Sequence, residues 1–137
     1  MDLVDTNVLL YRVSFAESER AKQQTAARIM ERDDLCLSVQ VLQEFYVRAT
    51  RSSRDDALEH EEACDLIASC KRSRLQETTK QALDAALAAR KRWKLSYWDA
   101  AIIEAASLSG CSLVLTEDLT DGQEFDGVNV KNPFATL

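Results

Sequence analysis

The chain has 137 residues, enough for one domain, 1–137, with a proper core. It is 46% hydrophobic and 29% charged with only 3 Gly and 1 Pro, so it should be mostly helical with short loops. A net charge of −6 excludes nucleic-acid binding through a uniformly basic surface, but not a nuclease, whose metal-holding acids count as negative until metals arrive.

In chain order, Leu3–Val4 is a short apolar run that stops abruptly at Asp5-Thr6-Asn7. This reads as a buried strand, a polar turn and a helical turn from Val8 to Tyr11. Asp5 then stands at the carboxyl end of its strand, the edge where open parallel sheets bind ligands. A purely local reading makes Asp5 or Thr6 a helix cap. Asp2 is expected to be exposed. The opening MDLVDTNVLLY lacks a basic segment followed by a long apolar run, and no stretch of about 18 residues is free of charge. Neither a signal peptide nor a membrane span is expected.

Glu17–Arg32 has helical spacing, Leu35–Leu37 is a second strand, and Ser38 is placed to cap a helix over Val39–Arg51. Val41, Leu42, Phe45 and Ala49 form the core stripe of that helix, with Glu44 on its flank. Arg48 lies one turn on, so Glu44 and Arg48 read either as a surface ion pair or as a metal ligand and a phosphate contact. Arg51–Asp56 is a polar loop. Ala57–Lys71 is a helix whose His60, the one histidine, sits among Glu59, Glu61 and Glu62 as a solvated surface residue. Cys36, Cys64, Cys70 and Cys111 form no CxxC pair and read as small reduced core side chains, which suits a cytoplasmic protein.

Leu75–Thr78 is a short strand or connector, and Gln81–Trp93 is an alanine-rich helix ending in the cations Lys91, Arg92 and Lys94. These cations suit the helix dipole or a phosphate. Leu95–Leu108 is amphipathic. At about 100° per residue, Asp99 falls on the apolar face with Ile102, Ile103 and Ala106. A carboxylate aimed at a core is costly unless a donor or cation meets it. It reads either as the acid of a capping box with Ser96 or as part of a site. Gly110 stops this helix. Ser112–Thr116 is the clearest strand, apolar throughout as in a sheet covered on both faces. It too ends in acid, at Glu117 and Asp118. Asp121-Gly122 and Asp126-Gly127 have turn chemistry, and Val128–Val130 is a last edge strand.

Strands alternating with helices imply a parallel sheet with right-handed crossovers. With Asp5 and Asp118 at neighbouring strand ends, Asp99 in a helix first turn and Glu44 on a helix facing the same sheet, four carboxylates can converge. Unneutralised they would repel or protonate. A hard divalent cation relieves this, and Mg²⁺ takes oxygen ligands, waters and substrate phosphates. Such ions activate a water and clamp a phosphodiester for in-line attack, with no histidine base.

VDTNVLLY (Val4–Tyr11), SVQVLQEFYV (Ser38–Val47), LSYWDAAIIEAA (Leu95–Ala106) and LVLTEDLTDGQ (Leu113–Gln123) together resemble the PIN-domain ribonucleases, most of all the VapC-type toxins of prokaryotic toxin–antitoxin pairs. The resemblance implies a three-layer α/β/α fold around a central parallel sheet of about four to five short strands. It implies Mg²⁺- or Mn²⁺-dependent endonucleolytic cleavage of RNA. By motif position the catalytic, metal-holding quartet carries over as Asp5, Glu44, Asp99 and Asp118, with Thr6, Asn7 and Thr116 supporting. Glu117 and Asp121 are near enough in sequence to assist or replace Asp118. The resemblance also implies a homodimer that aligns two acidic sites along a groove, and a cognate antitoxin that sets a basic side chain in or near the pocket. Arg12, Arg48 and Lys94, with Arg51, Arg54, Lys91 and Arg92, are candidate RNA contacts.

Two rival readings remain: a PIN-like module that binds RNA or a protein without cutting, and another Mg²⁺-dependent α/β protein such as a phosphatase or receiver domain. The late strand LVLTEDL lacks the lysine that a receiver would want.

Overall fold

A computed structural model describes all residues, 1–137. Six strands form one sheet: β1 (Asp2–Val4), β2 (Leu35–Ser38), β3 (Arg74–Gln76), β4 (Leu113–Leu115), β5 (Glu124–Phe125) and β6 (Val128–Lys131). Their order is β3-β2-β1-β4-β6-β5, parallel except for the β5–β6 hairpin. The α/β class and the parallel centre are as expected, and the sheet has one strand more than the upper expectation. The extra strand is β5, too short to show a periodic signal. The two-residue turn Asp126-Gly127 makes it, with φ of 51° and 88°, a backbone that Asp-Gly adopts at little cost.

The helices are α1 (Thr6–Arg12), α2 (Arg20–Met30), α3 (Val39–Ala49), α4 (His60–Cys70), α5 (Lys80–Trp93) and α6 (Tyr97–Leu108), with a 3₁₀ turn over Glu17–Glu19 before α2. The helix expected to start at Glu17 therefore becomes regular only at Arg20. From β1 the chain steps through β2 to β3, then crosses back through the α5–α6 hairpin to β4 on the other side of β1. Right-handed crossovers put helices of opposite steps on opposite sheet faces. The direction reverses between β1 and β4, so the crevice at their carboxyl ends is the switch point.

The core explains why this arrangement holds. Leu3, Val4, Val8, Leu9, Leu35, Leu37, Val41, Phe45, Ile103 and Val114 are all buried and belong to one cluster. Each such side chain contributes about 1.5–3 kcal/mol by leaving water. Asp2 departs from expectation. It is half-buried and accepts a 2.6 Å bond from Arg32, because α2 returns beside the start of β1. Cys36, Cys70 and Cys111 are buried and free as expected, but Cys64 is half-exposed beside His60. His60 is exposed as expected, and its Nδ1 lies 2.9 Å from the Tyr46 hydroxyl.

Candidate functional site

The register of β1 on β4 pairs Val4 with Leu115, so the next residues, Asp5 and Thr116, leave the sheet side by side. The Asp5 N–H still donates to the Leu115 carbonyl at 3.1 Å. Asp5 then turns the chain into α1, accepting from the Thr6 N–H at 2.7 Å as helix cap. Its other oxygen accepts from the Thr116 hydroxyl at 2.7 Å. Capping and site-building are thus the same act at this residue.

Thr116 is fully buried and joins three groups. Beyond donating to Asp5, its oxygen accepts from Asn7 Nδ2 and from the Asp118 N–H, both at 3.1 Å. Asn7 Nδ2 also reaches Asp118 Oδ2 at 3.3 Å. On the other flank, the Thr6 hydroxyl lies 3.3 Å from Glu44 Oε2 and 3.4 Å from the Val41 carbonyl. With one proton it serves one acceptor at a time. Ser38 caps α3 through the Val41 N–H, and Gln40 donates to Glu44 Oε1 at 3.0 Å, so Glu44 is steered one turn along its own helix. No Glu44–Arg48 ion pair forms, which removes the surface-pair reading of these two residues.

Asp99 lies in the first turn of α6. Its N–H donates to Ser96 Oγ at 3.2 Å, one half of the capping box. The return bond is missing, and the half-buried Asp99 carboxylate has no hydrogen bond or ion pair. The structure therefore ties Asp5, Glu44 and Asp118 together through Thr6, Asn7 and Thr116, and leaves Asp99 unengaged. No three carboxylate, histidine or cysteine side chains are gathered tightly enough to form a ready ion cage.

Burial, assisted by the nearby charges of Asp118 and Glu44, pushes Asp5 up to about 6, against the lowering effect of its bonds from Thr116 and Thr6. A buried carboxylate flanked by others is a place where a cation is favoured. Asn7 Oδ1 is also buried without a partner, and such orphans call for a water or an ion. The donors are all oxygens, which suits Mg²⁺ or Mn²⁺ and not a thiolate-seeking metal. By donor chemistry and by this unmet oxygen, the residues fit a hydrated hard cation.

The two substitutes for Asp118 are occupied. Asp121 braces the C-terminal strand by accepting from the Asn132 N–H at 2.7 Å. Glu117 accepts from the Tyr11 hydroxyl at 2.6 Å and from Lys22 at 3.1 Å. Sequence reasoning missed Tyr11, Lys22 and Gln40. Only Gln40 carried a usable signal, its i,i+4 spacing to Glu44.

Next to the acids a cleft of about 650 Å³ runs from Asn7 and Glu117 to Arg48, Arg51 and Arg54, with the exposed Phe15 on its wall. Arg54 is paired with Asp56, whereas Arg48 and Arg51 have no acidic partner. Arg12 sits at the far end of α1, and Lys94 caps α5 in the left-handed region. Neither lines this cleft.

The PIN-domain family model matches residues 3–120. No curated protein matches the chain by sequence. Solved structures do match in fold. A toxin–antitoxin complex from Klebsiella pneumoniae has a TM-score of 0.70 and 18% identity over 98% of each chain. VapC20 of Mycobacterium tuberculosis, described as a sarcin–ricin loop cleaving toxin, has a TM-score of 0.65 and 18% identity, covering 86% of this chain and 92% of its own. The DNA-bound VapBC of Salmonella typhimurium has a TM-score of 0.68 and 17% identity over 96% and 97%.

Proposed function

The chain belongs to the PIN-domain family, and from that premise we propose that it is a Mg²⁺- or Mn²⁺-dependent endoribonuclease, the toxin of a toxin–antitoxin pair. The observation that carries this reading is the linkage of Asp5, Glu44 and Asp118 at the sheet's switch point, with Asp99 in the first turn of α6, a helix that packs on the same sheet. A bound divalent cation supplies an activated water and positive charge for the phosphoryl oxygens.

The chain's own residues do the positioning. Asp5, Glu44, Asp99 and Asp118 would hold the metal. Thr116 aims Asp5, Thr6 steadies Glu44, and Asn7 donates to the exposed Asp118. A cation held there would favour the ionised form of Asp5, whose carboxyl burial pushes up to about 6. The one histidine is engaged by Tyr46 and Cys64, so proton transfer falls to water and the carboxylates.

The RNA enters along the cleft, with Arg48 meeting a phosphate. Arg12 and Lys94 would meet only a longer strand outside it. A single-stranded or looped RNA suits such a cleft, because unpaired bases can be splayed there. VapC20 is described as cutting a loop, and similar structures are complexes with antitoxins. A cognate antitoxin that puts a cation into the acid pocket would occupy the space metals need. A homodimer aligning two pockets and a cytoplasmic setting complete the reading. No helix is long and apolar enough to cross a membrane.

A non-catalytic RNA- or protein-binding module is the rival, favoured by the absence of a tight acid cage. Cleavage of a structured RNA pool with Mg²⁺, Mn²⁺ or EDTA, beside Asp99→Asn, decides between them. Metal-dependent cutting lost in the mutant supports the nuclease. Full RNA affinity in EDTA with no cutting in any metal supports the module.

A further inference from the structure

Glu117 lies between Thr116, which aims Asp5, and Asp118, which faces Asn7. Its own carboxylate points elsewhere. Oε1 accepts from the Tyr11 hydroxyl at 2.6 Å, and Oε2 accepts from Lys22 Nζ at 3.1 Å. Lys22 also donates to the Tyr11 oxygen at 3.0 Å, closing a ring of three bonds. The Lys22 ammonium stands 4.7 Å from the Tyr11 ring centre, and Tyr11 packs edge-on against Phe134 at 4.9 Å. The end of α1, the start of α2 and the segment after β4 are thereby joined at one point.

An ion pair this exposed, 35% and 25% for the two side chains, adds little stability alone. Its value is geometric. Both Glu117 oxygens are held by charge-assisted bonds, so the backbone from Thr116 to Asp118 has one preferred path. Turning Glu117 into the acid pocket would break its bonds to Tyr11 and Lys22 and leave the Lys22 cation without its acid.

We propose that Tyr11, Lys22 and Glu117 form a clasp that positions Asp118, and that Glu117 anchors this clasp and is not a metal ligand. Lys22 is then a positioning residue for the pocket although it stands on α2, away from the strand ends. The inference rests on the metal-dependent reading above and refines it.

The test uses the full chain with Lys22→Met, Lys22→Arg and Glu117→Gln, and Asp118→Asn as reference. Amide hydrogen exchange over residues 116–119 is measured without metal, and Mn²⁺ affinity by calorimetry. Lys22→Met and Glu117→Gln should each speed exchange and weaken Mn²⁺ by about 10–100-fold, the usual loss when an outer support of a metal ligand is removed. Lys22→Arg should retain most of both properties. The double mutant should be no weaker than either single, because both break one unit. Unchanged exchange in Lys22→Met overturns the clasp. Tighter Mn²⁺ binding in Lys22→Met overturns the anchor role, since Lys22 would then be competing with metal for Glu117. Loss of Mn²⁺ in Glu117→Gln as complete as in Asp118→Asn, with Lys22→Met unaffected, makes Glu117 a ligand. If the unsubstituted chain takes up no Mn²⁺, the metal-dependent reading fails, and the exchange measurement still decides the clasp.

Discussion

The two sides of the acid pocket are built differently. On the β1–β4 side, the half-buried Asp5, the buried Asn7 and the exposed Asp118 are joined through the fully buried Thr116, which alone serves three partners. On the α6 side, Asp99 has only its backbone fixed, by Ser96, and its carboxylate is free. One part is tied down by folding, and the other has no partner from the protein. Under the metal-dependent function proposed above, such a division would leave only part of the coordination to be rebuilt at each binding.

The sharpest way to break the comparison is Asp99→Asn. Nothing in the fold depends on that carboxylate, so stability should change by no more than about 0.5 kcal/mol. RNA cleavage should fall roughly 10³-fold, since a lost metal interaction is worth several kcal/mol at tenfold per 1.36 kcal/mol. Thermal melts and single-turnover cleavage check the two halves. A mutant that melts early would place Asp99 among the structural groups instead.

Thr116→Val tests the other side. The shape is kept but the hydroxyl is lost, leaving the buried Asn7 and the half-buried Asp5 carboxylate short of a partner, while Asp118 stands exposed to water. Stability should drop by about 1–3 kcal/mol and activity by about 10–100-fold together. A loss of activity with an unchanged melt would show that the network is not a structural unit.

The same contrast has a pH signature. Asp5 titrates at about 6 in the fold against an ordinary 3.8, so the folded chain holds this proton more tightly than the unfolded chain. Its contribution to metal-free stability is therefore fully present below about 3.8 and is lost as pH rises through about 6. Asp5→Asn should remove that slope, seen by urea melts across pH. With metal the sign reverses. Mn²⁺ affinity should rise up to about tenfold per pH unit towards 6 and then level off, as one proton is displaced.

What the sequence disclosed follows the range of the interactions. Asp5 and the Glu117-Asp118 pair are legible because an apolar run that halts in acid is a local pattern, and the placing of Asp99 on α6 follows from helical period, whereas the choice of Asp118 over Glu117 comes only from the family resemblance. Ser38 as cap and Gly110 as stop were equally local. The pairing of Asp5 with Thr116 depends on β1–β4 register, fixed by residues more than a hundred apart, and no short window contains it. Lys22 meeting Glu117 and Arg32 meeting Asp2 were invisible for the same reason: their side chains look like surface charges until the helices pack. α3 ends at Ala49, two residues before the expected Arg51, since Thr50 folds its hydroxyl back onto Tyr46 and Arg51 starts the loop.

The smallest expected effect separates the cleft from the pocket. Arg48 stands one turn beyond Glu44 on α3, has no acidic partner and lines the cleft with Asn7. If it meets a phosphate, Arg48→Ala should raise KM a few-fold and leave kcat nearly unchanged, because an exposed contact binds ground and transition states alike. The slope of log affinity against log salt should fall by about 1, the mark of one lost phosphate contact. Arg12→Ala, outside the cleft, serves as the control and should change neither quantity for a short RNA. A fall in kcat with an unchanged salt slope in Arg48→Ala would instead make Arg48 part of the acid pocket, and the boundary between holding the strand and cutting it would have to be moved one helical turn along α3.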